Sequence, residues 1–185
     1  MAESQDFDVI VVGSGATGGW AAKEMCEAGF KVLVLERGKP TTHRESYENE
    51  FVDPWDRPFA GQSKSGELEK LYGPASYMMG FRNKTFMAKF EDAPYDVNTK
   101  NPFMWIRPGA VGGKSLIWGR QVYRWSDLDF EANKRDGHGI DWPIRYKDIE
   151  PWYSYVEKYI GVQGSYENLP QLPDSEFMPA MELNH

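Results

Sequence analysis

The sequence predicts an α/β fold that begins with a parallel strand–helix–strand unit. Two short apolar runs, at 9–12 and 31–35, flank a segment with helical periodicity. Gly13, Gly15 and Gly18 follow the first run directly, in the spacing G-x-G-x-x-G, and Glu36 ends the second run. A glycine motif between a strand and a helix, with an acid at this distance, is typical of a Rossmann-like dinucleotide-binding unit. The open alternative is a glycine-rich turn in another kind of α/β protein.

Each part of the motif has a physical role in this prediction. Gly13 allows a tight exit from the strand, Gly15 lets a phosphate approach the backbone, and Gly18 lets the helix lie close to the strands. The N–H groups at the start of the helix then face a pyrophosphate, and the helix dipole favours its charge. The acid accepts hydrogen bonds from the adenosine ribose. The predicted contacts in this unit are Gly13, Gly15, Ala16, Thr17, Gly18, Glu36 and Arg37.

The predicted helix spans 16–28 and stops at Gly29. Cys26, the single cysteine, falls on its inner side and is expected to be a small core residue. One cysteine excludes an internal disulfide and a cysteine-rich metal site, so no metal ligands are predicted.

Composition excludes several functional classes for this chain of 185 residues. Its formal charge of −7 and the absence of a basic cluster argue against nucleic-acid binding. Aromatic residues make up 15%, which argues against disorder. The N-terminus has no secretory or twin-arginine pattern, and no apolar run reaches membrane-spanning length. A soluble, cytoplasmic protein is expected.

Residues 39–101 form an irregular excursion that is long for a connection inside a domain. Short helices are predicted at 45–51 and 67–72, and extended chain at 84–90. The excursion is expected to cover the ligand site or to contact a neighbouring subunit in an oligomer, and a solvated surface insertion is the alternative.

A second glycine-rich turn occupies 109–113 and is followed by Lys114 and Ser115. Adjacent glycines allow a ligand to approach the backbone, and successive N–H groups can form an anion-binding concavity. A strand is predicted at 118–125. The alternative is a tight turn with aromatic flanks.

Two helices are predicted beyond this turn. Ser126 caps the first, with Asp129 reaching back, and it ends near Arg135. The second spans 147–160 and ends at Gly161. Its one-sided stripe is expected to be core: Ile149, Trp152, Tyr153, Val156, Tyr159 and Ile160. The proline-rich tail has no evident closing element, and only two confident parallel strands are found, so the chain is expected to be an N-terminal fragment.

These motifs together resemble the glucose–methanol–choline (GMC) family of flavin oxidoreductases. The resemblance rests on DVIVVGSGATGG at 8–19, VLVLERG at 32–38 and VGGKSLIWGRQVYRW at 111–125. It extends through DWPIRYKDIEPWYSYVEKYIGVQG at 141–164. It is closest to the bacterial branch with sugar dehydrogenases and pyranose-oxidase relatives, in which a Trp follows the second glycine motif, as Trp118 does here.

The resemblance implies FAD with its ADP half on the first motif. The second motif would lie near the pyrophosphate, the ribityl chain and the flavin ring through Gly112, Gly113, Ser115 and Trp118. Some relatives carry a covalent flavin on a histidine before that Trp, but Ile117 occupies the position here, so non-covalent FAD is expected. The implied domains are an FAD-binding part at 1–160 and, at 161–185, a linker or the start of an α+β substrate-binding domain.

The family reaction is oxidation of an alcohol, often on a sugar, with hydride transfer to the flavin. Its catalytic His and Asn lie further toward the C-terminus, so no catalytic residue is assigned in this chain. His43, His138 and His185 are expected to be surface residues. The resemblance leaves open which alcohol is oxidised and whether electrons pass to oxygen, a quinone or a cytochrome.

Two alternatives remain at this point. An NAD-dependent dehydrogenase would also use the first motif, and Glu36 would select against a 2′-phosphate, although such an enzyme does not need the second glycine turn. The second alternative is a truncated, non-catalytic fragment that binds a nucleotide.

Overall fold

The computed structural model describes residues 6–47, 50–62, 66–80, 83–89, 91–96, 98, 100–101, 103 and 105–182. It divides into two compact units, 1–119 and 120–185. The domain boundary expected at 160/161 is therefore not where these units divide, and it stays a prediction about the larger fold.

The first unit begins with the predicted strand–helix–strand arrangement. Strand β1 spans Val9–Val12, helix α1 spans Ala16–Glu27 and strand β2 spans Val32–Leu35. The strands are parallel, in register from Val9 opposite Val32 to Val12 opposite Leu35. Parallel neighbours need a crossover, and α1 supplies it with contacts to both strands. The three elements predicted at the start of the chain are confirmed.

Gly18 is the residue that lets α1 lie against β1. A Cβ built at this position would lie 2.0 Å from the carbonyl oxygen of Gly13 and 3.4 Å from Cγ1 of Val11. No side chain larger than hydrogen fits that gap unless the backbone moves. The predicted packing role of this glycine is confirmed.

Among the described residues of the excursion, helix α2 at Glu67–Tyr72 is present as predicted, whereas the helix predicted at 45–51 is a 3₁₀ turn in its described first part. The 3₁₀ turns lie at Glu45–Tyr47, Pro58–Gly61, Gly73–Met78 and Lys84–Phe86. The turn at Lys84–Phe86 corrects the extended chain predicted there, while Phe90 and residues 48–49 lie outside the described residues. Tyr72 donates to the carbonyl oxygen of Lys84 across 2.9 Å, and this tertiary bond stabilises a conformation that local periodicity does not indicate.

The buried cluster of this unit also lies in the excursion. Tyr72, Met79 and Met87 are each 7% exposed and pack together. Leu68, Leu71, Ile106 and Ile117 pack around them. The excursion is thus a folded part of the unit rather than a solvated insertion.

The strand predicted at 118–125 is not present. A 3₁₀ turn, Gly113–Leu116, precedes this stretch, and 119–126 has no regular hydrogen-bonding pattern. The predicted alternation survives, because Arg124 is buried while Tyr123 and Trp125 are exposed. Extended chain becomes a strand only when a neighbour completes the ladder, and no described segment does so here.

The second unit is mainly helical. Helix α3 at Asp127–Phe130 begins with the capping box predicted from Ser126 and Asp129. The helix expected to continue to Arg135 breaks at Glu131, and α4 follows at Ala132–Asp136. Helix α5 spans Tyr146–Ile160 and ends at Gly161, whose φ is 73°. Two short parallel strands, β3 at Gln163–Gly164 and β4 at Met178–Pro179, close the tail and correct the prediction that it has no closing element.

The apolar stripe of α5 is not the core that its periodicity predicts. Trp152 is 66% exposed and Tyr159 61%, whereas Glu157 is only 3% exposed. The inward face of α5 is instead organised by an ion pair from Glu157 to Arg124, with Nη2 and Oε2 2.6 Å apart. A pattern of apolar residues cannot reveal a polar anchor of this kind.

Cys26 is likewise exposed, so its prediction as a core residue is wrong. The half-buried positions of α1 are Gly18, Trp20 and 22–24, and Cys26 lies outside that set.

Among the described residues, none of the helices combines the length and the apolar character that crossing a bilayer requires.

Candidate nucleotide-binding site

The first turn of α1 presents free backbone donors. Within the part of the chain that the structure describes, the N–H groups of Gly15, Ala16, Thr17 and Gly18 have no protein acceptor. The first turn contains no acidic side chain. A Cβ at Gly15 would find no atom closer than the carbonyl oxygen of Gly112, at 4.0 Å. Free donors, a positive dipole end and open space beside a glycine form a cradle suited to an anion.

Glu36, at the end of β2, reaches back to the first glycine turn. Its Oε2 accepts hydrogen bonds from the backbone N–H of Ser14 at 2.7 Å and from the Ser14 hydroxyl at 2.6 Å. Its Oε1 accepts from the N–H of Gly38 at 2.6 Å. The hydroxyl and backbone bonds from Ser14, followed by that from Gly38, lower the pKa of Glu36 from 4.5 to about 2. This carboxylate stays ionised throughout the physiological range.

This lowered pKa predicts a pH-dependent contribution to stability. Folding favours the ionised carboxylate, so its contribution is complete above pH 4.5 and is lost as pH falls toward 2. We expect the difference in unfolding free energy between wild type and Glu36→Gln to be constant from pH 8 to pH 5 and to shrink below 4.5. Urea titrations at several pH values measure it, and a difference that grows on acidification contradicts the assignment.

The second glycine turn docks directly on the first. The N–H of Gly112 donates to the Ser14 hydroxyl oxygen at 2.9 Å. A Cβ at Gly113 would lie 3.4 Å from Cα of Gly15, and both Gly112 and Gly113 have positive φ, at 96° and 54°. Residues that are 98 positions apart in the sequence thus meet at one hydroxyl.

Gly38 holds the same turn from the other side. A Cβ there would lie 2.4 Å from the carbonyl carbon of Ala110, so any side chain would displace this backbone. Lys39 donates its N–H to Gly109 across 2.7 Å, and Val111 donates to the oxygen of Lys39 across 2.9 Å. Ser14 and Gly38 were not among the site residues predicted from the sequence. The sequence does show a hydroxyl within the first glycine turn, at Ser14, and a glycine soon after Glu36, at Gly38. It does not show that the Ser14 hydroxyl faces Glu36 or that the backbone at Gly38 packs against the second turn.

The remaining predicted contacts are placed differently. Ser115 donates its hydroxyl to Gly112 within its own turn, at 2.6 Å. Arg37 and Trp118 are exposed, and no hydrogen bond to the first turn is described for either. Ile117 packs on the buried cluster of Tyr72, Met79 and Met87. The structure therefore brings together the two glycine turns and Glu36. All of the predicted ligand contacts, including those of Arg37, Ser115 and Trp118, stay predictions.

The histidines and the acidic side chains of the described residues form no metal-binding group. His43 and His138 are exposed, as expected, and His185 lies outside the described residues. The described part of the chain contains no group of three or more His, Cys, Asp or Glu side chains that could hold a metal ion.

Comparisons with known proteins agree with this geometry. Residues 8–46 match a family model described as an FAD binding domain. A 2-methyl-1,2-propanediol dehydrogenase of Mycolicibacterium austroafricanum is 30% identical over 169 residues, covering 90% of this chain and 26% of that protein. The gluconate 2-dehydrogenase flavoprotein of Pantoea cypripedii is 26% identical over 88% of this chain and 26% of its own length. The fructose dehydrogenase large subunit of Gluconobacter japonicus is 24% identical over 88% of this chain and 28% of its own length.

The chain spans about a quarter of the length of the relatives it matches. The family match indicates FAD as the cofactor, and the residues present fit its ADP half. Four N–H groups without acceptors and the open space beside Gly15 suit a pyrophosphate. Hydrogen bonds from Ser14 and Gly38 already reach both carboxylate oxygens of Glu36, and the backbone of Arg37 donates to the same carboxylate. The contact between Glu36 and a ribose hydroxyl therefore stays a prediction.

Proposed function

Because residues 8–46 match an FAD-binding domain and the chain is similar to the N-terminal portion of GMC-like FAD oxidoreductases, we propose that it supplies the ADP-binding part of an alcohol-oxidising flavoenzyme. The substrate is an alcohol CH–OH group on a sugar or polyol. Relatives named for a diol, for gluconate and for fructose support this class.

The observation that carries the proposal is the junction of the two glycine turns. A Rossmann unit that binds NAD needs only the first glycine turn. Here a second turn is present, and its Gly112 and Gly113 lie against Ser14 and Gly15. This second turn extends the cradle beyond the helix N-terminus. It therefore favours a flavin dinucleotide over the NAD alternative. Ile117 is not a nucleophile, so a covalent link to FAD cannot form at that position.

The residues of this chain bind and orient the cofactor. The N–H groups at the start of α1 hold the pyrophosphate, and Glu36 accepts from the adenosine ribose. FAD, when bound, supplies the acceptor for the hydride of the alcohol. The base that takes the hydroxyl proton is not assigned in this chain.

The test is the visible absorption spectrum of the purified chain before and after addition of FAD, followed by desalting, with circular dichroism recorded in parallel. A flavin spectrum that survives desalting is the expected result, and NAD at the same concentration should not displace it. A folded chain that stays colourless contradicts the proposal. If this chain is unfolded alone, the same test is applied to a longer chain that contains it.

Loss of the Glu36 carboxylate should weaken FAD binding measurably. We expect Glu36→Ala to weaken the binding free energy for FAD by about 1–3 kcal/mol, the range for losing a hydrogen bond to a charged group. A fluorescence titration of FAD measures the change. Glu67→Ala, on α2, is the matched control, because Glu67 lies in the excursion and makes no hydrogen bond to either glycine turn among the described contacts. Equal affinities for wild type and Glu36→Ala contradict the ribose assignment.

A further inference from the structure

Ser14 has a side chain that joins both glycine turns and the acid of the site. Its hydroxyl donates to Oε2 of Glu36 at 2.6 Å, and the same oxygen accepts from the N–H of Gly112 at 2.9 Å. Its backbone N–H also donates to Oε2, at 2.7 Å. The result is a directed chain of hydrogen bonds from Gly112 through Ser14 to Glu36.

The direction of this chain is determined by charge. A carboxylate can only accept, so the Ser14 proton is directed to Glu36 and the oxygen lone pairs are left for the Gly112 N–H. Hydrogen bonds to an ionised group are roughly twice as strong as neutral ones, and linked bonds polarise one another. The carboxylate thus determines how the hydroxyl is oriented, and the oriented hydroxyl holds the second turn.

Backbone bonds to Lys39 hold the second turn at 109 and 111, and the bond to Ser14 attaches it at Gly112. Gly112 and Gly113 have positive φ, and glycine has more conformational freedom to lose on folding than any other residue. The two glycines lack side chains that could anchor them. The Gly112 N–H to Ser14 bond fixes this turn in register with the N-terminus of α1, beside the Gly15 backbone.

We propose that Ser14 is a positioning residue that couples the two halves of the FAD site, by holding the second glycine turn on the first through Glu36. This rests on the proposed function. Ser14 need not touch the flavin cofactor itself. Ser14 holds the turn at 112–116 in place before FAD binds. Less conformational entropy of this turn is therefore lost on binding.

The experiment compares Ser14→Ala, Ser14→Thr and Thr41→Val in the full chain, or in the longer chain if that is the form that folds. Ser14→Ala removes the hydroxyl, and Ser14→Thr retains it. Thr41→Val is the matched control, because its hydroxyl reaches the same turn at Val111 O, over 3.4 Å, without contacting Glu36. Each variant is measured for FAD affinity, for amide hydrogen exchange at Gly112 without FAD, and for the Glu36 pKa by carboxyl NMR.

We expect Ser14→Ala to raise the Kd for FAD about 10-fold, to speed exchange at Gly112 and to move the pKa of Glu36 toward 4.5. Ser14→Thr should keep the FAD affinity, the exchange at Gly112 and the Glu36 pKa close to those of wild type. Thr41→Val should have a Kd for FAD within about 2-fold of the wild-type value. Unchanged exchange and affinity in Ser14→Ala, with wild type still binding FAD, overturn the coupling but leave the proposed function intact. If wild type binds no FAD while Gly112 exchange still depends on Ser14, the proposed function fails and the role of Ser14 in coupling an FAD site fails with it.

Discussion

Gly15→Val is expected to abolish retention of FAD while leaving the chain folded. The backbone of Gly15 is extended, with φ −65° and ψ −174°, which a β-branched residue adopts readily. A Cβ there would lie 4.0 Å from its nearest protein atom, the carbonyl oxygen of Gly112, so the branched side chain would occupy the open space beside the free N–H groups. We expect a loss of about 100-fold or more in FAD affinity, or ~2.7 kcal/mol, measured by fluorescence titration.

Gly19→Val is the matched control, because it adds the same side chain to α1 where the nearest atom, the oxygen of Ser14, is 3.7 Å away. Its FAD affinity should stay near that of wild type. Gly18→Ala is the contrasting variant, since even a methyl group there collides with Gly13 and should disrupt the fold. Circular dichroism separates these cases. A folded Gly15→Val chain that keeps its flavin spectrum after desalting would place the pyrophosphate elsewhere.

The second large effect is expected from Arg124→Met, in the unit formed by 120–185. Arg124 is 5% exposed and Glu157 3%, with Nη2 and Oε2 2.6 Å apart and Nε 3.1 Å from both carboxylate oxygens. Arg124 also donates to Tyr146 at 2.8 Å and to Ser154 at 3.0 Å. Burial alone would lower the pKa of Arg124, but the bonds to Glu157 and Tyr146 raise it above its ordinary value.

Removing the guanidinium leaves a buried carboxylate without its cation. Loss of one partner of such a pair destabilises by about 3–5 kcal/mol, because the remaining charge is desolvated and unpaired. Urea unfolding followed by the helical circular dichroism signal, which includes α5, measures the change. The double variant Arg124→Met with Glu157→Leu should recover most of the loss, because an apolar pair of similar volume replaces the ions.

An exposed ion pair of the same unit provides the control. Arg135 and Asp136 are 53% and 60% exposed and 3.3 Å apart, so Arg135→Met should change stability by no more than about 1 kcal/mol. Equal effects of Arg124→Met and Arg135→Met would contradict the anchoring role of the buried pair.

Local patterns predicted the structure well where a short segment determines its own conformation. The strand–helix–strand bounds, the close approach at Gly18 and the cap at Ser126 follow from sequence spacing and from backbone geometry. The family match at 8–46 lies on this segment.

The predictions failed where a distant partner decides the outcome. No described segment pairs with the strand predicted at 118–125. On α5, Trp152 and Tyr159 are exposed, whereas Glu157 is buried against Arg124. The same limitation hid Ser14, because its importance depends on Gly112, 98 residues further along the chain. Composition and periodicity describe neighbours in sequence, and these contacts join residues that are remote in it.

The bond between Ser14 and Gly112 also determines the order in which this region can fold. The β1–α1–β2 segment closes over short distances, whereas the second turn must first complete a loop of 98 residues. On a ribosome, the first turn therefore forms long before its partner emerges, and the cofactor cradle is completed late. The entropy of closing such a loop grows only logarithmically, by about 0.6 kcal/mol for a doubling of length. The excursion can therefore vary widely in length among related proteins at little thermodynamic cost to the junction it closes.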